Sequence, residues 1–292
     1  MGHNWKESYF DYLTKRLDSG ESNNIAVLET IKIIKKKLKK KELIKVLDVG
    51  CFSGAMLNRI LNGLSKSERN QIKAIGLDFD KEVMEKGSSK YQDIIYIYSQ
   101  IEKNIPLIEQ FDIILISNVL HEIALNEDMS SKIKKIKSVF SNIVNLVKEN
   151  GNIIVLDGCK PDNNNLITIN FQNKKDQDLF IEFSKKYKVL KVKCNISKPG
   201  ITTNEISLTA FLTKARYLNQ DYWESESKQL YQYFSENDFL KMFKKNNLKV
   251  IKNEPQYFTE ESLKSIFKNI KPNIQKPAKN ILIIAEKLTS AN

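Results

Sequence analysis

The first half of the chain alternates short apolar runs with longer segments whose apolar residues recur at helical spacing. The short runs predict strands at 44–49, 72–78, 94–98, 111–117 and 152–157, and the longer segments predict helices at 55–63, 80–89 and 130–149. Short buried strands that alternate with helices indicate a parallel sheet with helices on both faces. Two later apolar runs, 248–251 and 281–285, predict two more strands.

Other segments flank or interrupt this alternation. Helices are predicted at 4–18 and 25–40, and a turn is predicted at 149–151 before the fifth strand. The segment 160–234 is too long for a bare connection, and its pattern predicts strands at 166–171 and 188–196, a helix at 176–187 and an aromatic helical region from 210. We therefore predict N-terminal helices at 1–40, a core of 41–159 and 235–292, and an insertion at 160–234.

The loop after the first predicted strand carries the most specific signal in the chain. Residues 46–54 read VLDVGCFSG, so a buried strand ends near an acidic residue and two glycines lead into a helix. Glycines let the backbone approach a ligand, and the N–H groups at a helix start face it, which is typical of a nucleotide-cofactor cradle. The loop has neither the G-x-G-x-x-G of dinucleotide sites nor the G-K-[ST] of a P-loop.

This loop resembles the D-x-G-C-G-x-G loop of class I S-adenosylmethionine (SAM) methyltransferases, with Phe52 where a glycine or small residue is usual. The resemblance covers 41–158 and 235–288. It implies an α/β fold with a doubly wound, seven-stranded, mostly parallel sheet whose sixth and seventh strands are 248–251 and 281–285. It also implies SAM as the methyl donor.

The same resemblance assigns the first cofactor residues. Asp48 would lie near the SAM amino group, and the backbone of Gly50, Cys51 and Gly54 would pack on the methionine and ribose part. The alternative for Asp48 is a carboxylate that only caps the turn.

Further cofactor residues follow the next strands. Asp78 ends the second strand, where an acidic residue binds the ribose hydroxyls, and Phe79 would pack on adenine. Gln100 would accept from the adenine amino group, and Asn118 would lie under the methionine and sulfonium. The alternatives are a helix N-cap for Asp78 and a solvent-exposed amide for Gln100.

His121 and Glu122 follow Asn118 and would begin the next element near the transferred methyl group. An imidazole titrates near neutral pH, which suits proton removal from an acceptor. The alternative is a structural histidine that bonds a loop carbonyl. Methyl transfer needs alignment of acceptor, methyl and sulfur more than covalent help from the protein.

The insertion is expected to cap the active site and to select the acceptor. Tyr217 and Trp223 can stack on a flat or cationic acceptor, and Arg216 can hold a carboxylate or phosphate. The alternative is that these aromatic rings form the insertion's own core.

Composition narrows the remaining choices. The net charge is +12, and only four of the 47 Lys and Arg residues are Arg. Specific phosphate and base contacts favour arginine, so the basic run at 35–41 favours a solvated helix face over an RNA contact. Three cysteines and two histidines do not suggest a disulfide framework or a metal site. Without an apolar run of membrane-spanning length or a signal-peptide pattern, we expect a cytoplasmic protein that does not bind membranes.

Three functions remain open. The first is a SAM-dependent methyltransferase acting on an O or N atom of a small molecule, favoured by the Asn-Val-Leu-His sequence after the fourth strand. The second is an RNA or tRNA methyltransferase that uses the basic surface. The third is a non-catalytic SAM-binding module, for which Phe52 is an argument. The sequence does not determine the oligomeric state.

Overall fold

The structure is a computed structural model that describes residues 14–15, 23–103, 109–124, 127–171, 173–196, 200–259 and 277–289. The predicted helix at 4–18 lies outside the described residues apart from Thr14 and Lys15. Up to the fifth strand the elements are α1 (Asn24–Leu38), β1 (Ile44–Val49), α2 (Ala55–Asn62), α3 (Lys66–Arg69), β2 (Ile72–Asp78), α4 (Lys81–Lys90), β3 (Ile94–Tyr98), β4 (Phe111–Ser117), a 3-10 turn (Leu120–Glu122), α5 (Met129–Asn145) and β5 (Val147–Lys160).

Seven strands form the main sheet in the order β10-β11-β5-β4-β1-β2-β3, where β10 is Leu248–Tyr257 and β11 is Ala278–Lys287. The pairs β1–β2, β1–β4, β2–β3 and β4–β5 are parallel. This confirms the predicted α/β fold with a central, mostly parallel sheet and flanking helices.

Apolar side chains of the sheet build the core of this part. β1 and β4 are buried along almost their whole lengths, and residues of α1 and α2 join the same cluster. Because β1, β2, β4 and β5 run in parallel, their carboxyl ends meet at one edge, with Val49 paired to Leu77 and to Ile116, and Ser117 paired to Leu156. This edge positions the site described below.

The fifth strand departs from the sequence prediction. α5 ends at Asn145 and β5 begins at Val147, so the predicted turn at 149–151 lies inside the strand. Asn150 has φ 59°, and the register shifts between the pairs Phe111–Val147 and Ile113–Asn152. An irregularity within a continuous strand explains the turn signal.

The segment after β5 has its own secondary structure. Its elements are β6 (Leu166–Ile169), α6 (Lys174–Lys186), β7 (Asn195–Ile196), β8 (Ile201–Asn204), α7 (Glu205–Lys214), a 3-10 turn (Ala215–Tyr217), α8 (Trp223–Glu226), β9 (Phe234–Ser235) and α9 (Glu236–Lys245). β6, β8 and β7 form a three-stranded antiparallel sheet, and β9 pairs with the end of β5.

The predicted strand at 188–196 is wrong for most of its length. Only Asn195–Ile196 form a strand. The Lys193 N–H donates to Ser207 Oγ at 2.9 Å and its carbonyl accepts from Thr203 Oγ1 at 2.6 Å. Because side chains satisfy this backbone, it does not pair with a neighbouring strand.

The chain forms two compact units. The first holds the described residues up to Asp157 together with Lys241–Asn253 and the end of the chain from Leu282. The second holds Gly158–Leu240 and the described parts of Glu254–Ile281, and it has a separate apolar cluster around Phe180, Phe183 and Phe211. Across the described residues, no helix combines the length and apolar character that a membrane span needs.

Candidate functional site

The loop between β1 and α2 has an alternating left-handed backbone. Gly50, Phe52 and Gly54 have φ values of 72°, 53° and 82°. Glycine takes this conformation without strain, whereas a bulky side chain takes it at a cost. The structure thus explains why a glycine or small residue is usual at position 52, and Phe52 is a strained residue in this loop.

Close packing leaves the loop no room for side chains at its glycines. A Cβ atom at Gly50 would lie 2.4 Å from Val119 Cγ2, and one at Gly54 would lie 2.4 Å from Tyr96 Oη. Cys51 is buried against Gly76, and burial raises the pKa of its thiol, so the thiol stays protonated. The loop therefore presents backbone, as a cofactor cradle requires.

Asp48 lies at the end of β1 and is 2% exposed. Among the described residues, no hydrogen-bond donor faces its carboxyl group. Burial, and then the neighbouring charge of Asp78, raise the pKa of Asp48 well above its ordinary value. Burying a carboxyl group without a donor costs free energy, and a cationic or N–H partner would offset that cost.

Asp78 ends β2 and holds two loops together. Its Oδ2 accepts from the Phe52 N–H at 2.7 Å, and its Oδ1 accepts from the N–H groups of Phe79 at 2.7 Å and Asp80 at 3.0 Å. Burial raises the pKa of Asp78, and these backbone bonds oppose that rise. The helix N-cap is Asp80, which accepts from the Val83 N–H at 3.1 Å.

The other predicted cofactor residues surround this edge of the sheet. Phe79 is 58% exposed beside Asp78, and Gln100 is exposed after β3. Asn118 has φ 57°, and its N–H donates to the Leu156 carbonyl at 2.7 Å. Glu102, which the sequence analysis did not select, accepts from the Ala124 N–H at 3.1 Å and so joins the loops after β3 and β4.

A buried carboxylate organises the segment after β4. Asp157 Oδ2 accepts from the N–H groups of Val119 at 3.2 Å and Leu120 at 2.8 Å, and its Oδ1 lies 2.8 Å from His121 Nδ1. His121 and Asp157 are 5% and 2% exposed. The Glu122 carboxylate lies 4.0 Å from His121 Nε2 and is about half exposed. The partner of His121 Nδ1 is thus a carboxylate.

Comparison with known proteins agrees with this geometry. Residues 47–153 match the model of a family described as a methyltransferase domain. A SAM-dependent methyltransferase structure from Mesorhizobium loti is 12% identical, with a TM-score of 0.53 over 92% of this chain and 100% of that chain. At such identity the structural likeness establishes the fold alone. The domain match together with these structures indicates a SAM-dependent methyltransferase.

Two further structures share the fold of this methyltransferase. A SAM-dependent methyltransferase from Clostridium acetobutylicum is 11% identical, with a TM-score of 0.50 over 97% of this chain and 99% of that chain. A chain from the complex of the Haloferax volcanii Trm112 methyltransferase activator with a methyltransferase is also 11% identical, with a TM-score of 0.52 and 97% of both chains covered. A comparison with curated proteins found no match.

The residues of the methyltransferase fit its cofactor. SAM carries a cationic α-amino group, and Asp48 is a buried carboxyl group without a protein donor among the described residues. The close approach of Val119 to Gly50 leaves that stretch of loop as bare backbone. In the part of the chain that the structure describes, His, Cys, Asp and Glu side chains form no group of three or more that could hold a metal ion.

The three predicted acceptor residues lie in the second unit of the methyltransferase. Tyr217 is 2% exposed, and Trp223 packs with its ring centroid 6.0 Å from that of Phe183. Arg216 is partly exposed, lies 5.6 Å from the Tyr217 ring centroid, and has a buried Nε with no hydrogen-bond partner among the described residues. The two aromatic rings thus belong to the packing of this unit.

Sequence reasoning missed two residues that support the loop. Tyr96 Oη donates to the Ser53 carbonyl at 2.8 Å, and burial raises the pKa of Tyr96 so that the hydroxyl keeps its proton. Gly87 of α4 lies against the same carbonyl, because a Cβ there would be 2.2 Å from Ser53 O. The sequence signal for Gly87 is its place within a predicted helix, where a glycine usually has a packing reason.

We expect Gly87→Ala to destabilise the methyltransferase by about 1–3 kcal/mol, although alanine has the higher helix propensity. The new methyl group would collide with a backbone carbonyl, which a rotamer change cannot relieve. Urea unfolding measures the effect, and Ser88→Ala, at the exposed neighbouring position, should change the free energy of unfolding by less than about 0.5 kcal/mol. A G87A protein as stable as the wild type would contradict the close packing.

Proposed function

We propose that the enzyme transfers the SAM methyl group to an oxygen or nitrogen atom of a small-molecule acceptor, with His121 as the group that removes the acceptor's proton. The observation that carries the proposal is the buried contact of 2.8 Å between His121 Nδ1 and Asp157 Oδ1 at the carboxyl ends of β4 and β5. A histidine whose Nδ1 is held by a carboxylate is typical of a general base.

The cofactor residues of this proposal follow the parallel strand ends. Asp48 would accept the amino group of SAM, and the backbone of Gly50, Cys51 and Gly54 would line the methionine part. The burial of the Asp48 carboxyl group, with no donor facing it among the described residues, supports this role.

The ribose and adenine contacts are proposed for Asp78, Phe79, Gln100 and Asn118. An ionised carboxylate has about four acceptor positions, and Asp78 already uses three of them for backbone N–H groups. We therefore propose that Asp78 accepts one ribose hydroxyl and holds the loop at the same time, rather than accepting both hydroxyls. The exposed ring of Phe79 supports a packing contact with adenine.

In the proposed reaction the protein takes up one proton from the acceptor. SAM supplies an electrophilic methyl group bound to a positively charged sulfur. The acceptor atom forms its bond to the methyl carbon as the carbon–sulfur bond breaks, and that bond's electron pair stays on sulfur. The acceptor's proton passes to His121 Nε2 and then to solvent. The Glu122 carboxylate lies 4.0 Å from Nε2.

Acceptor selection is proposed for the insertion at 160–234. Of the three residues predicted there, Arg216 has the best support, because its partly buried guanidinium has an Nε without a partner among the described residues. Such a group suits a carboxylate or phosphate on the acceptor. Tyr217 and Trp223 have packing roles that weaken their case as acceptor contacts.

The basic run at 35–41 gives limited support to an RNA acceptor. Lys37 Nζ donates to the Asn150 carbonyl at 2.8 Å, and Lys41 pairs with Asp112. Both lysines therefore bind within the fold, and this favours the small-molecule proposal.

The test combines binding with turnover. Calorimetry with S-adenosylhomocysteine (SAH) should give a one-to-one complex, and SAM incubated with a library of phenols, amines and carboxylate-bearing hydroxyl compounds should release SAH with a subset of them. tRNA is assayed in parallel at low and high salt. Methylation of tRNA with a steep loss of affinity in salt would replace the small-molecule proposal. SAH binding without turnover of any acceptor would indicate a binding module.

A further inference from the structure

Asp157 is a buried carboxylate that the sequence pattern does not distinguish from any other residue at a strand end. It is 2% exposed in β5, and its two oxygens face donors from three consecutive residues, Val119, Leu120 and His121. Leu156 pairs with Ser117 in the parallel register, so Asp157 lies directly beside the chain as it leaves β4. One side chain thus holds both the backbone and the imidazole of this segment.

The bond to Nδ1 determines the form of the imidazole. An ionised carboxylate only accepts hydrogen bonds, so the partner Nδ1 must carry the proton. In neutral His121 the lone pair that can take up a proton is then on Nε2. This assignment follows from the bonding partner, as histidine tautomers in proteins generally do.

The same carboxylate also connects the imidazole to the cofactor loop. The Val119 N–H donates to Asp157, and the Val119 side chain lies against Gly50. A Cβ atom added at Gly50 would be 2.4 Å from Val119 Cγ2. A change at Asp157 therefore reaches both the proton acceptor and the wall of the loop, and a test must separate these two effects.

We propose that Asp157 is a positioning residue for methyl transfer: it fixes His121 in the form with a proton on Nδ1 and stabilises the imidazolium that forms when Nε2 takes the acceptor's proton. This proposal rests on the proposed role of His121 as the base. Asp157 acts through His121 and does not contact the acceptor.

The first experiment is a double-mutant cycle with Asp157→Asn and His121→Asn. The amide oxygen introduced by D157N can still accept from the Val119 and Leu120 N–H groups, but the new NH₂ group would face Nδ1 and favour the other tautomer. We expect D157N to lower kcat by about 10–100-fold with the acceptor KM and the SAH Kd within about threefold of wild type. The double variant should be no slower than H121N alone, because Asp157 acts through His121.

Two kinetic results would overturn the proposal. One is a kcat of D157N within about twofold of wild type. The other is a double variant whose loss is the product of the two single losses, which would give Asp157 a role independent of His121. A raised SAH Kd in D157N would instead show that the substitution disturbs the cofactor loop, through the contact of Val119 with Gly50.

A spectroscopic test does not depend on turnover. The chain has only two histidines, so a His3→Gln protein without a purification tag shows the ¹⁵N imidazole signals of His121 alone. We expect the Nδ1-protonated tautomer at neutral pH in this protein and the Nε2-protonated tautomer after adding D157N. An Nε2-protonated form before the D157N change would overturn the proposal. If the expected tautomers are seen but H121N retains full activity, the base role fails while the assigned contact stands.

Discussion

His121→Asn is expected to lower kcat for methyl transfer by about 10²–10⁴-fold, the range that a positioned general base contributes. Asparagine can keep a donor toward Asp157 in place of Nδ1–H but has no group that takes up a proton at neutral pH. The loss should fall on kcat, because the side chain removed serves the reaction rather than the binding of SAM. Initial rates of SAH release at saturating SAM and acceptor measure it.

A neighbouring variant is the control. Glu122→Gln alters a half-exposed carboxylate 4.0 Å from Nε2, and we expect a loss of less than about tenfold. If H121N keeps its kcat within about threefold and binds SAH normally, His121 is structural and the methyl transfer proceeds without a protein base.

Three strands of the first unit could be predicted to the residue. The predicted ranges 44–49, 72–78 and 111–117 match β1, β2 and β4, because each is a short apolar run bounded by polar residues. Asp48 and Asp78 lie near the carboxyl ends of two of these strands, which pair in parallel. Parallel strands bring their carboxyl ends together, so a site at that edge follows from the order of elements.

The residues that support the site could not be predicted in this way. Asp157 contacts His121, which is 36 positions away in the chain. Tyr96 and Gly87 contact Ser53, which is 43 and 34 positions away from them. No local pattern marks such a contact, because it depends on how separate elements pack. The ends of α5 and β5 were missed for a related reason, since strand pairing with β4 extends β5 across a sequence that resembles a turn.

For Phe52 the sequence and the structure each supply part of the explanation. The sequence marks it as a departure from the family loop, and the structure gives the physical reason, a φ of 53° that glycine takes more easily. Its N–H is held by Asp78 at 2.7 Å, so the strained conformation is fixed by the fold around it.

Asp48→Asn is expected to raise the SAH Kd by about 100-fold. The loss corresponds to removing a charged partner from the amino group of the ligand, a hydrogen bond of about 1.5–3 kcal/mol. Calorimetry at mildly alkaline pH measures it. Asp80→Asn is the matched control, because asparagine also caps a helix, and its SAH Kd should stay within about twofold of wild type.

The ligand-free protein should respond to D48N in the opposite direction. The pKa of Asp48 is raised in the folded state by burial and by Asp78, so the folded protein binds this proton more tightly than the unfolded chain does. The stability that this provides is complete below the ordinary aspartate pKa and is lost as pH rises through the folded-state pKa. Ligand-free D48N, which has no carboxyl group to ionise there, should therefore gain in Tm relative to wild type as the pH rises through that range.

These opposite signs separate a binding role from a structural one. If Asp48 holds the amino group, D48N is no less stable than wild type at mildly alkaline pH without ligand, yet SAH no longer raises its Tm. A carboxylate that only braced the turn would give the reverse, a protein with a lower Tm in which SAH still produces the wild-type shift. The pH dependence of binding adds a second constraint, because the cationic amino group needs the ionised carboxylate. Wild-type affinity for SAH should weaken as pH falls through the raised pKa of Asp48, and the weak affinity of D48N should not change over the same range.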